Sequence, residues 1–189
     1  MSKIRNIAIN VSKKNVVLRK IIRSFNSFIR KINYKISSFG VKVDEKTLLF
    51  CCFNGKSYSC SPKAIYEYMI NTDEFKDYKF IWAFSDEKKY KNLEKNKNTS
   101  VVKIRTKEYK KCLAKAKYWI FNYKIPDFLY PKKNQIFVQC WHGTPLKRLG
   151  CDLEHFDNVL NTIDGIKKRY KIEASKFTYF ISPSKFASE

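Results

Sequence analysis

No run of about eighteen apolar residues occurs in the 189-residue chain, which excludes a single helix crossing a bilayer. The amino terminus also lacks an uninterrupted apolar segment, because Lys13, Lys14, Arg19, Lys20 and Arg23 break it up, and no secretory signal peptide is visible. Cysteines stand at 51, 52, 60, 112, 140 and 151, but no CxxC pair occurs. That spacing supports neither a disulfide framework nor a zinc ribbon; reduced thiols in a cytosolic protein are the expectation. Cys140, His142, Cys151 and His155 lie close in sequence, yet C-x-H-x8-C-x3-H matches no common zinc pattern, so packed thiols and no metal or cofactor are expected. Acidic residues are absent from Met1 to Val43, a stretch that holds eleven Lys or Arg. There is no internal repeat, and the lysine-rich region from Glu87 to Lys97 reads as a solvated loop.

What is present is a core-forming composition, 44% hydrophobic and 16% aromatic, which argues against disorder for most of the length. Lys and Arg total 39 against 17 Asp and Glu, a net charge of +22. Such an excess predicts anionic partners: nucleic acid, anionic lipid or phosphorylated substrates. The one-signed segment divides the chain into residues 1–45, a basic amphipathic membrane-interface segment, and a mixed-charge domain over 46–189. Within the first, Leu18, Ile21, Ile22, Phe25, Phe28, Ile29, Ile32 and Ile36 recur at steps of three and four, the period of a helix over Val16 to Ile36. Arg19, Lys20, Arg23, Arg30 and Lys31 occupy the other face. A basic face, a bulky apolar face and no acid fit a helix lying in an anionic membrane interface, with Arg19, Lys20, Arg23, Phe25, Phe28, Arg30 and Lys31 making the contact. An amphipathic helix docked on the domain is the alternative, and the two are compatible.

The rest alternates short apolar runs with helical patterns. Strands are expected at Thr47–Phe53, Tyr78–Phe84, Ser100–Ile104, Tyr118–Phe121, Ile136–Cys140 and Thr178–Ser182. Helices are expected from Ser61, as N-cap with Pro62 in the first turn, to Ile70, from Lys107 to Lys117, over most of Leu153 to Ala174, and again from Ser184. This alternation predicts an α/β fold with a doubly wound, mostly parallel Rossmann-like sheet. Ligands bind such sheets beyond the carboxyl ends of strands, here after Phe53, Phe121 and Cys140.

His142 lies just past the last of these. Gly143 permits close approach of a substrate to the backbone. Thr144 and Pro145 form an N-cap and first-turn pair whose free N–H groups would face the same space, and Lys147 and Arg148 add charge one turn later. A base for a nucleophile beside donors for phosphoryl oxygens is the equipment for attack on a phosphate. Asn54, Gly55 and Asn122, at the other two strand ends, join Gly143, Thr144, Lys147 and Arg148 as candidate substrate and phosphate ligands.

The same residues carry a resemblance. Trp141-His142-Gly143-Thr144-Pro145-Leu146-Lys147, with Leu149-Gly150 and Asp152, resembles the signature of CDP-glycerol glycerophosphotransferases, the teichoic-acid primases and polymerases. Phe53-Asn54-Gly55-Lys56-Ser57-Tyr58 with Ser61-Pro62-Lys63, Tyr118-Trp119-Ile120-Phe121-Asn122 with Pro126, and Ile181-Ser182-Pro183-Ser184 are similar to further motifs of that family, in order from Thr47 to Glu189. Cys140 stands where the family commonly has threonine, and Tyr123-Lys124 where a Ser-Arg pair is common. The resemblance implies the amino-terminal, acceptor-side half of a GT-B fold. It further implies that His142 is the general base for transfer of glycerol phosphate from CDP-glycerol to a lipid-linked glycerophosphate acceptor, at the cytoplasmic face of the membrane and peripherally bound. Since one sheet uses up the residues, the chain is expected to be truncated before the donor domain, inactive alone, with the carboxy-terminal half a partner in trans. Two alternatives are a non-catalytic membrane- or acceptor-binding module and a nucleic-acid-binding protein. The second lacks a recognised motif, and nucleic acid is not an expected partner.

Overall fold

The computed structural model describes residues 16–143, 149–154, 162–182 and 184–188. Six strands form one all-parallel sheet: β1 (Asp44–Cys51), β2 (Lys79–Phe84), β3 (Thr99–Lys103), β4 (Ala116–Phe121), β5 (Ile136–Gln139) and β6 (Tyr179–Phe180), in the order β3-β2-β1-β4-β5-β6. The helices are α1 (Val16–Ser38), α2 (Cys60–Ile70), α3 (Lys107–Lys115), α4 (Ile163–Ala174) and a short α5 (Lys185–Ser188). The chain is thus a doubly wound α/β fold. Its order reverses between β1 and β4, and the crevice outside that switch point is where such sheets take their ligands.

β1 is central, and residues 48–51, its carboxyl half, are covered on both faces and apolar without interruption. Leu48, Phe50 and Cys52 point to one face with Tyr66, Phe80, Trp82 and Phe84; Phe50 and Trp82 stack at 5.2 Å. Leu49 and Cys51 point to the other, with Trp119, Phe121, Phe137, Tyr109 and Leu113. Some buried polar groups find partners, although Thr47 Oγ1 and Trp82 Nε1 have none among the described residues. The Tyr66 hydroxyl pairs with Thr99 Oγ1 at 2.8 Å, and Gln135 Nε2 donates to the Leu113 and Ala116 carbonyls at 2.7 and 2.6 Å, closing the carboxyl end of α3.

Several boundaries differ from the sequence expectation. β1 ends at Cys51 because Phe53, Asn54 and Gly55 all adopt left-handed backbone, with φ of 45°, 57° and 77°. The N-cap of α2 is Ser59, not Ser61, and its hydroxyl pairs with that of Ser57 at 2.8 Å. The segment Glu87–Lys95 is a 3-10 helix with a buried Leu93, not a loop. Within the region read as mostly helical from Leu153 to Ala174, α4 covers Ile163–Ala174, and a 3-10 turn, Gly150–Asp152, precedes that region. α4 begins only at Ile163, where Thr162 Oγ1 caps it by accepting from the Gly165 N–H at 3.1 Å.

α1 docks on the domain by its polar side. Ser27, Arg30 and Tyr34 turn inward, with the Arg30 guanidinium 5.5 Å over the Phe128 ring and Tyr34 packed against the core. Phe25 is 63% exposed, Phe28 58% and Ile36 69%, with Ile21, Ile29 and Ile32 beside them. On a 3.6-residue period these six lie opposite Ser27, Arg30 and Tyr34, so the apolar stripe faces away from the core. The sequence reading grouped Arg30 with the membrane-facing cations; the structure instead turns it to the domain, because Phe128 offers it an aromatic face. The side chains of Arg19 and Lys20 lie outside the described residues. No described helix is long and apolar enough to cross a membrane.

Candidate active site

Three loops meet above the carboxyl ends of β1, β4 and β5. Asn122, immediately after β4, is buried, and its Oδ1 accepts from the Phe53 N–H at 2.8 Å, tying the β1 and β4 loops across the switch point. Its Nδ2 is also buried and has no hydrogen-bond partner among the described residues. Burying an amide donor unpaired costs about 1–3 kcal/mol, so this one stands ready for an acceptor atom supplied from the cavity it lines.

After β5, buried Gln139 makes a second tie: Nε2 donates to the Tyr123 carbonyl at 3.2 Å, and Oε1 accepts from the Trp141 N–H at 3.1 Å. The chain then turns sharply, with Trp141 at φ 49° and Gly143 at φ 71°. Left-handed backbone is strained for a bulky residue such as Trp141, and for Phe53 in the facing loop. The outcome is that the exposed His142 ring stacks on Phe53 at 5.1 Å and 22°, and meets Trp141 edge-on at 5.6 Å. The imidazole is held over the crevice by aromatic contacts, with a ring on one face and solvent on the other.

His142, Asn122, Gln139 and Trp141 line a cavity of about 790 Å³, walled on the far side by α4 through Arg169, Tyr170 and Glu173. Its floor is pinned by a buried ion pair. Lys176 Nζ reaches Glu173 Oε2 at 3.2 Å and the Pro126 carbonyl at 2.9 Å, while Glu173 Oε1 accepts from the Ile125 N–H at 3.1 Å. Burial depresses the Lys176 ammonium and Glu173 props it up. No pattern in the sequence marks this pair, nor Phe53 and Gln139 as supports for the site.

The expected ligands fare differently. Gly143 has open space around the position of a Cβ, so backbone approach by a substrate is unobstructed. Gly55 is structural: its N–H donates to the Cys52 carbonyl at 2.7 Å, its carbonyl accepts from the Ser85 N–H at 2.8 Å, and neither group is left for a phosphate. Asn54 lines a second cavity, beneath α1, and not the one beside His142. Thr144, Lys147 and Arg148 lie outside the described residues, as does His155. Among the described residues no group of three or more His, Cys, Asp or Glu could hold a metal ion. Burial pushes the Cys51, Cys52 and Cys140 thiols up to about 12.

Residues 32–189 match a family model described as CDP-glycerol:poly(glycerophosphate) glycerophosphotransferase. A teichoic acid poly(glycerol phosphate) polymerase of Staphylococcus epidermidis is 35% identical over 93% of the chain, and one of Bacillus subtilis 34% over 94%. A teichoic acid glycerol-phosphate transferase of Staphylococcus aureus is 34% identical over 78%. The chain spans 23%, 24% and 37% of these relatives, respectively. Among solved structures, that of the wall teichoic acid polymerase TagF superposes with a TM-score of 0.71 at 32% identity, over 90% of this chain and 42% of that one. The same polymerase, in a histidine variant, has been soaked with CDPG.

Proposed function

The chain belongs to the CDP-glycerol:poly(glycerophosphate) glycerophosphotransferase family, and on that premise we propose that it forms the acceptor side of a GT-B active site for building teichoic acid. His142 takes the proton from a glycerol hydroxyl of the acceptor as that oxygen attacks the β-phosphorus of CDP-glycerol. The bond from that phosphorus to the bridging oxygen breaks, glycerol phosphate is joined to the acceptor, and CMP leaves with the electron pair. No covalent enzyme intermediate is needed. Gly143 lets the substrate approach, and the Asn122 amide supplies a donor to a hydroxyl or phosphoryl oxygen. The observation that carries this reading is the pairing of His142, stacked on Phe53, with the unpartnered Asn122 Nδ2 in one cavity at the switch point.

The test is CMP release from CDP-glycerol with a glycerophosphate acceptor, run with and without the carboxy-terminal part of a polymerase relative. His142→Ala is expected to lower the rate at least about 100-fold, the usual contribution of a positioned base. An unchanged rate removes His142 from the chemistry.

The acceptor is lipid-linked in this reading, so the site must work at the cytoplasmic face of the membrane, with α1 as its peripheral anchor. Support comes from the direction of the helix: its apolar stripe faces outward, and the exposed Lys31 lies beside the stripe, ready for anionic headgroups. Phe25→Asp with Phe28→Asp is expected to abolish co-flotation with vesicles containing anionic lipid. Flotation equal to that of the unaltered chain rules out the anchor.

A further inference from the structure

Beneath α1 lies a second cavity, of about 760 Å³, which the chemistry at His142 does not use. Its walls come from the polar side of α1, from α3 and from the loop after β4. Among the described residues five cations line it, Arg30, Arg105, Lys110, Lys124 and Arg169, and one acid, Asp127, which pairs with Lys124 at 3.3 Å. Arg105 takes a left-handed backbone, φ 68°, just past the carboxyl end of β3, a strained conformation for a non-glycine residue. Like charges gathered around one cavity repel each other, and a bound polyanion relieves that repulsion. The cavity is not isolated: Tyr123, Lys124 and Arg169 line both it and the cavity beside His142. Two cations, Lys124 and Arg169, thus belong both to the cavity beneath α1 and to the one beside the imidazole.

We infer that the two cavities are one groove that binds a phosphodiester chain along several consecutive units, with its terminal hydroxyl at His142 and its older phosphates among Arg30, Arg105 and Lys110. The inference rests on the proposed function for its choice of polyanion, an oligo(glycerol phosphate). It adds a subsite remote from the chemistry that holds the acceptor by charge. The consequence is length-dependent affinity, since each further phosphate reaches another cation on a molecule already bound.

The experiment measures binding of two synthetic acceptors to the full chain by titration calorimetry: a glycerol phosphate dimer and an oligomer of about ten units. The longer acceptor is expected to bind about tenfold more tightly, an advantage lost in Arg105→Glu/Lys110→Glu and in the milder Arg105→Gln/Lys110→Gln, while the dimer binds all forms alike. Equal affinity of the two acceptors for the unaltered chain, or a length advantage that survives both double variants, overturns the groove. In those cases dimer binding that weakens in Asn122→Ala still supports the site at His142. Failure of both acceptors to bind removes that reading as well. An inorganic polyphosphate of equal charge that matches the long acceptor in affinity shows a general anion surface and also overturns the assignment. Anionic vesicles free of polymer separate the lipid headgroup from the polymer: if their binding falls with the Arg105/Lys110 variants, the groove belongs to the membrane surface and the inference is wrong.

Discussion

Replacing Lys176 by methionine isolates the ion pair that holds the floor of the site. Methionine keeps most of the aliphatic stem but removes the ammonium. The Lys176 side chain is fully enclosed and that of Glu173 is 11% exposed. The substitution leaves the Glu173 carboxylate without its counter-ion and the Pro126 carbonyl without its donor. Breaking a buried pair from one side costs about 3–5 kcal/mol. Glu173 retains the Ile125 N–H and some solvent, which puts the loss near the lower end, about 3 kcal/mol. For a chain of this size each kcal/mol moves Tm by about 2–4 °C, so Lys176→Met should melt about 6–12 °C lower. Glu173→Gln/Lys176→Met should recover more than half of the loss, because a neutral amide oxygen still accepts from Ile125 and no charge is stranded. Thermal melts give the Tm shift, and urea unfolding followed by tryptophan fluorescence gives the free energies. A loss under about 0.5 kcal/mol for Lys176→Met, or a double variant no better than the single, refutes the role assigned to the pair.

Two further outcomes follow from the loops and the thiols. Gly55→Ala should destabilise by about 2–4 kcal/mol, read as a shift in the urea midpoint, because φ is +77° and the new Cβ would stand 2.7 Å from the Ser85 nitrogen; a neutral effect would return Gly55 to the list of substrate ligands. In a thiol-reagent assay on the native chain at neutral pH, the exposed Cys60 and Cys151 should react fast. Cys51, Cys52 and Cys140, whose thiolates form only near pH 12, should react only on unfolding, and rapid modification of all three would contradict the burial described.

The apolar runs made the sheet legible, since the stretch of a strand covered on both faces is apolar in succession, as at residues 48–51 of β1, 80–84 of β2 and 118–121 of β4. The strand order was not legible: nothing local distinguishes a strand that pairs with β1 from one that pairs with β3. Tertiary contacts decided the missed boundaries. Phe53 continued the apolar run of β1 but was drawn out of it by the left-handed turn, where it could meet His142. The 3-10 segment is anchored by only two side chains, Leu93 and Tyr90, the latter stacked on Phe84 at 4.0 Å, too few to stand out among its lysines. At the site, the motif around His142 was visible because its residues are contiguous. The supports were not, because Asn122–Phe53, Gln139–Tyr123 and Glu173–Ile125 each join distant parts of the chain.

A helix that docks by its polar side leaves its apolar side in the open. Seen as colloid chemistry, α1 gives the protein the character of a surfactant, with a charged body and one oily edge. Were α1 to anchor the chain as proposed, self-association through that edge and adsorption to vesicles would draw on the same surface, and added lipid would shift the particle in buffer toward the single chain.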